Sequence, residues 1–202
     1  MSIYALKPRF QALLRPLVGV LARAGVTANQ VTIFATLVSV VVGAYVAWRL
    51  PDARAFALIP LWMAARMALN AIDGMLAREF GQQSRFGAYL NELGDVISDI
   101  ALFAPFALLP PFSPLWTGTV IVLAVVSEYA GVLGLLVGAS RRYDGPMGKS
   151  DRAVVFGALG LAASVASPLP DWTSVAMPAV AGALVVTVVN RVRGGLRERK
   201  QR

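Results

Sequence analysis

The chain has 202 residues, of which 57% are hydrophobic and only 15% charged, and it carries a formal net charge of +8. A soluble domain has roughly a quarter charged residues, so this composition excludes an ordinary soluble fold and points to a membrane protein. The chain contains no Cys and no His, which excludes thiol nucleophiles, imidazole bases and His/Cys zinc sites; carboxylates, amides, hydroxyls, Lys/Arg or a bound hard metal must carry any chemistry.

In chain order, residues 1–30 combine Lys7, Arg9, Arg15 and Arg23 with Ile3, Leu6, Phe10, Leu13, Leu14, Leu17 and Leu21 at helical spacing. The charges interrupt the apolar run, so the segment does not read as a cleavable signal. It is expected to form an amphipathic juxtamembrane helix on the membrane surface, with a loosely ordered basic arm as the alternative. A transmembrane helix needs roughly 20 mostly apolar residues, and such spans are predicted over 31–48, 55–76, 86–109, 115–139, 153–166 and 174–189. The predicted fold class is all-α integral membrane: six transmembrane helices in one domain over 31–190, preceded by the amphipathic helix and followed by a basic tail over 191–202.

Lys and Arg concentrate in the N-terminal segment, around Arg78 and Arg85, in the loop from Arg141 to Arg152 and in the tail, leaving Arg49 and Arg54 on the other side. The positive-inside bias places both termini in the cytoplasm of a bacterial-type inner (plasma) membrane. The basic residues then anchor to membrane lipids, and no nucleic-acid partner is expected. Glycines such as Gly43, Gly94, Gly131 and Gly157 permit close helix packing. No inverted repeat is visible, which weakens a secondary-transporter reading.

The most polar long window is 70–99, where the second and third spans meet at the break Gly81-Gln82-Gln83-Ser84. Asn70 and Asp73 are three residues apart, while Asn91, Asp95 and Asp99 follow at steps of four; both spacings keep side chains on one helix face. Carboxylates and amides without His or Cys suit a hard, oxygen-preferring cation such as Mg²⁺ or Mn²⁺. Such an ion beside a membrane surface is a device for neutralising a pyrophosphate. Arg66, Asp99 and Glu128 lie at similar depth in their spans, and intramembrane charges are seldom unpaired, so a structural pair of Arg66 with Asp99 or Glu128 is expected.

The run Asp73-Gly74-x2-Ala77-Arg78-x8-Gly87-x3-Asn91-x3-Asp95 resembles the signature of the CDP-alcohol phosphotransferase family, D-x2-D-G-x2-A-R-x8-G-x3-D-x3-D. Gly25-Val26-Thr27-Ala28-Asn29-Gln30 is similar to the family's G-I-T-P-N-Q segment. The resemblance implies a homodimer of six-span chains that moves a phosphatidyl group from CDP-diacylglycerol to a small alcohol and releases CMP. It implies metal ligation by Asn70, Asp73, Asn91 and Asp95, with Asp95 also accepting the alcohol proton. Thr27, Asn29, Gly74, Ala77, Arg78 and Gly87 would surround the nucleotide and its pyrophosphate. The family's first and third aspartates are here Asn70 and Asn91, so two negative charges are missing, and one tightly held metal or a weak second one is expected.

The loop from Arg141 to Arg152 offers Arg142, Lys149 and Arg152 as a pocket for a phosphorylated or polyhydroxyl acceptor; its Gly-Lys-Ser run lacks the spacing of a P-loop. Glycerol 3-phosphate leads as acceptor, ahead of an inositol phosphate and serine. The competing readings are a catalytically impaired relative that binds CDP-lipid or metal, and a small cation transporter, which leaves Ala77, Arg78 and Gly87 without a purpose.

Overall fold

The computed structural model describes residues 7–198. Ile3 and Leu6 of the predicted amphipathic helix, and residues 199–202 of the predicted tail, lie outside the described residues. Within them the chain is all-α, with no strand: α1 (Lys7–Arg23), α2 (Ala28–Arg49), α3 (Leu58–Glu79), α4 (Arg85–Phe103), α5 (Pro114–Leu133), α6 (Lys149–Val165) and α7 (Ala176–Arg197), with short 3₁₀ turns leading into or out of α3, α4 and α7. Four segments are long and apolar enough to cross a membrane, namely Ala28–Arg49, Ala53–Glu79, Pro114–Leu133 and Asp171–Arg197. By that criterion four of the six predicted spans qualify. The other two are α4, which carries Glu92, Asp95 and Asp99, and the 17-residue α6.

Helix starts follow from their caps. Thr27 and Gln30 form a capping box, each side chain accepting the other's backbone N–H, so α2 begins before the predicted Val31. Ser84 accepts the Gly87 N–H at 2.9 Å and starts α4. Helix ends depart further from expectation. Helix α5 stops at Leu133 rather than Ala139 because the chain folds back on it: the Arg142 N–H donates to the Gly131 carbonyl at 3.0 Å. Side chains at Gly131 and Gly134 would collide with the returning backbone, each Cβ falling 2.7 Å from a carbonyl oxygen, of Arg142 and Ser140 respectively. Helix α7 continues past the predicted Val189 to Arg197, since Arg191 is buried against α5 instead of opening a solvated tail.

The bundle packs around two apolar clusters. Phe103 of α4 stacks on Phe156 of α6 at 3.7 Å, and Phe106 meets Phe156 and Phe56 edge-on. Helices α2 and α4 lie close along their length, Gly43 admitting the backbone of Ala101 where any Cβ would clash. The second cluster docks α1 on α3: Val18, with Leu14 and Leu21 beside it, packs on Ile72, Met75 and Leu76. The single predicted apolar stripe of α1 thus divides, because Phe10, Leu13 and Leu17 face outward. That outward face is the one free to enter a lipid surface.

Candidate active site

Two polar faces turn toward the N-terminal half of α2, on which α3 and α4 both pack. Asp73 on α3 is buried and accepts a hydrogen bond from Thr32 Oγ1 at 2.8 Å. The same hydroxyl also donates toward the Ala28 carbonyl, and the Thr32 methyl lies beside Gly94 on α4. Asp95 follows Gly94 directly. Its Oδ1 accepts from Arg66 at 3.2 Å and forms an ion pair with Lys149, the first residue of α6. Asp95 and Lys149 lie near enough to act electrostatically on Asp73. Asn70 and Asn91, one helical turn before each aspartate, are half-buried, and their amides have no hydrogen-bond partner among the described residues.

At the mouth of these faces Asn29 Oδ1 confronts Gly87, 2.7 Å from where a Cβ would stand, so the absent side chain leaves the amide exposed to the space beside α4. Gln82, in the α3–α4 break, accepts the Ala28 N–H at 2.7 Å and donates to the Val26 carbonyl, tying the break to the start of α2. Thr27 is consumed in the cap of α2. Arg78 is exposed and lies against Gly74 one turn earlier; Ala77 borders the apolar cluster under α1.

Below this level a buried ion network joins five helices, α3 to α7. Arg66 reaches Asp99 at 2.7 Å, which forms the pair expected from their depth. Arg152 spends all its donors inside: on Asp99, on Glu128 at 2.9 Å, on Ser127 Oγ and on the Met147 carbonyl. Glu128 also faces Arg191 at 3.4 Å and Arg141 at 3.1 Å, and Arg141 extends to Glu92. Five cations (Arg66, Arg141, Lys149, Arg152 and Arg191) therefore meet four carboxylates (Glu92, Asp95, Asp99 and Glu128). Charges this deep are tolerated because each finds a partner.

The three cations expected to form an acceptor pocket do not converge. Arg142 turns to the surface, gripping Asp144 with two donors at 2.8 and 3.0 Å and pairing with Glu198. The Arg142 guanidinium holds the Asp144 carboxyl below the usual carboxylate range, and donors from Ser140, with Arg142 beside them, do the same for Glu198. Arg152 is locked in the network, and Lys149 alone reaches the motif. Arg141 and Arg191, which sequence reading did not single out for the site, each bury an Nε with no partner. Thr32 was also missed, although Thr32, Thr36 and Ser39 repeat at helical spacing through an otherwise apolar span.

Among the described residues no three acidic side chains converge as a metal-binding group. The motif nevertheless offers one oxygen without a hydrogen-bond partner on each of Asp73 and Asp95, plus the amide oxygens of Asn70 and Asn91. This is a hard, oxygen-only donor set of low charge, of the kind that suits a divalent ion such as Mg²⁺ or Mn²⁺.

The family model for CDP-alcohol phosphatidyltransferase matches residues 25–189. Inner membrane protein YnbA of Escherichia coli (strain K12) is 41% identical over 196 residues, covering 97% of each chain. The phosphatidylinositol phosphate synthase of Mycolicibacterium smegmatis is 32% identical over 190 residues, 88% of this chain and 81% of its own. Crystal structures of the Mycobacterium tuberculosis phosphatidylinositol phosphate synthase superpose as well. The one with CDP-DAG bound gives a TM-score of 0.73 at 27% identity, covering 92% of this chain and 94% of that one. The one in complex with manganese and citrate gives 0.72 at 26%, covering 92% and 90%.

Proposed function

The chain belongs to the CDP-alcohol phosphatidyltransferase family, and on that premise we propose that it transfers a phosphatidyl group from CDP-diacylglycerol to a small phosphorylated or polyhydroxyl alcohol, releasing CMP. The observation that carries this reading is the placement of Asp73 and Asp95 on two helices that both pack on α2, Thr32 bonding the first and lying against Gly94 next to the second, beside two unengaged amides and the open ground at Gly87. In the reaction the acceptor hydroxyl oxygen forms a bond to the phosphatidyl phosphorus. The bridging P–O bond to CMP breaks, and the hydroxyl proton passes to Asp95. Asp95 is suited to that task by position: its side chain is 14% exposed, wetter than Asp99 below it, and it has a free oxygen within reach of a ligand. A divalent ion held by Asp73, Asp95 and the Asn70 and Asn91 amide oxygens would neutralise pyrophosphate charge.

Arg78, exposed one turn beyond Gly74, meets the pyrophosphate, while Asn29, Gly74, Ala77 and Gly87 border the cytidine and Thr27 holds the start of α2 in place. The acceptor enters beside Lys149. The unpartnered Nε groups of Arg141 and Arg191 and the surplus positive charge of the network favour an anionic acceptor such as glycerol 3-phosphate; Arg142 and Arg152, already engaged, shape the surrounding loop. The chain spans the inner membrane six times, α4 and α6 crossing among the four more apolar helices. Both termini and the site face the cytoplasm, α1 lies on the membrane surface, and two chains associate as a homodimer.

Purified protein supplied with CDP-diacylglycerol, Mg²⁺ or Mn²⁺ and a panel of glycerol 3-phosphate, inositol phosphate and serine is expected to release CMP only when an acceptor is present. The low carboxylate content of the motif favours one alternative, a relative that binds CDP-lipid or metal without turnover. Nucleotide binding with no CMP from any acceptor would select it.

A further inference from the structure

We infer that Lys149 is a built-in cation of the motif site, supplying at Asp95 the positive charge that a second divalent ion would otherwise bring, so that the site takes one exchangeable metal. Asp95 Oδ1 already serves two cations, Lys149 and Arg66, whereas Asp73 serves none and is held only by the Thr32 hydroxyl. Replacement of acid by amide at positions 70 and 91 leaves two carboxylates on the motif faces. Two dications beside Lys149 would set five positive charges against those two carboxylates, and mutual repulsion at such separations is costly in a partly desolvated site. One dication with Lys149 comes close to balance.

The position of Lys149 is fixed by its surroundings. It opens α6, whose first turn is closed by Asp151 accepting the Gly148 N–H at 2.9 Å. The preceding Met147 N–H donates to Thr187 Oγ1 at 3.0 Å, and Arg152 one turn on is locked into the buried network. Asp95 is its sole acidic partner among the described residues, so the ammonium retains donors for a phosphoryl oxygen while neutralising the carboxylate. This tethered charge cannot be chelated away.

The inference rests on the metal-assisted transfer proposed above, and its test reads metal binding rather than turnover. Mn²⁺ is titrated into the full chain in detergent micelles and the free ion followed by its EPR signal. The wild type is expected to bind one Mn²⁺ per chain. Lys149→Met is expected to bind it about tenfold more tightly or better, because a repelling charge is gone, while Lys149→Arg retains wild-type affinity. Asn91→Asp still binds one ion, and Asn91→Asp/Lys149→Met binds two. Any wild-type stoichiometry other than one overturns the inference without recourse to a variant. So does unchanged or weaker affinity in a Lys149→Met protein that keeps wild-type helicity and elution. A protein that yields no CMP but shows these metal shifts refutes the proposed transfer alone, and one that yields CMP but whose Mn²⁺ affinity ignores Lys149 refutes the tethered charge alone.

Discussion

Replacing Arg152 by Met removes the cation that serves two buried carboxylates at once, Asp99 and Glu128. Removing one partner from a buried charge pair costs about 3–5 kcal/mol. Neither acid is left bare here: Asp99 keeps Arg66 at 2.7 Å, and Glu128 keeps Arg141 at 3.1 Å and Arg191 at 3.4 Å. Met fills most of the vacated stem volume, so the lower end applies, about 3 kcal/mol or roughly a hundredfold in the folding equilibrium. Asp99→Leu is expected to cost a similar amount, because it takes a carboxylate from Arg66 and Arg152 together. In the double variant Glu128 and Asp95 absorb the remaining charges, and the combined loss should fall short of the sum by about 2 kcal/mol. Equilibrium unfolding in mixed micelles, followed by the fluorescence of the four Trp residues and by helicity, measures all three variants. Additive losses within about 0.5 kcal/mol, or an Arg152→Met protein as stable as wild type, would refute the view that these side chains act as one unit.

Asp95→Asn is expected to lower CMP release by a factor of roughly 10² to 10⁴ while CDP binding is largely kept; wild-type rates would remove Asp95 as the base. Restoring carboxylates with Asn70→Asp and Asn91→Asp should tighten Mn²⁺ binding about tenfold through the added charge, and isothermal titration showing unchanged affinity would sink the ligand assignment. Thr32→Val leaves buried Asp73 without its hydroxyl donor and should cost about 1–3 kcal/mol in stability, read from the same unfolding curves. At the surface, Arg142 depresses the pKa of Asp144 in the folded state. That contribution is therefore present above the unfolded value of about 3.9 and is lost as pH falls through the lower folded value. Being partly exposed, the pair is worth under about 1 kcal/mol. Asp144→Asn should flatten the acid limb of stability below about pH 4; identical melts of variant and wild type at pH 3 and pH 7 would contradict it.

Most helices are readable from the sequence because long apolar runs closed by Pro or by charged turns admit few other structures. The early end of α5 is not readable in that way. Gly131 and Gly134 are visible in the sequence, but the backbone they admit returns from Ser140 and Arg142, a contact with no local periodicity. Arg191 reads as the first charge of a tail because its neighbours are basic, and only packing against Glu128, 63 positions away, buries it. In contrast, the row Thr32, Thr36 and Ser39 carries its own signal, since polar side chains at steps of three and four in an apolar span mark a face turned inward.

The candidate site shows the same division between face and register. Spacing alone puts Asp95 and Asp99 one turn apart on α4, and Lys149 and Arg152 one turn apart once α6 is known to begin at Lys149. Two such ladders can be joined in more than one way, and periodicity gives no means of choosing. The packing of Phe103 on Phe156, at 3.7 Å and nearly parallel, sets the α4–α6 register, and that register pairs Lys149 with Asp95 and Arg152 with Asp99. A slip of one turn would hand Lys149 to Asp99 and leave Asp95 with Arg66 alone. The charge at the motif is thus fixed by an apolar contact about 12 Å further along α4, and this is why the loop read from sequence as one acceptor pocket delivers its cations to three separate places.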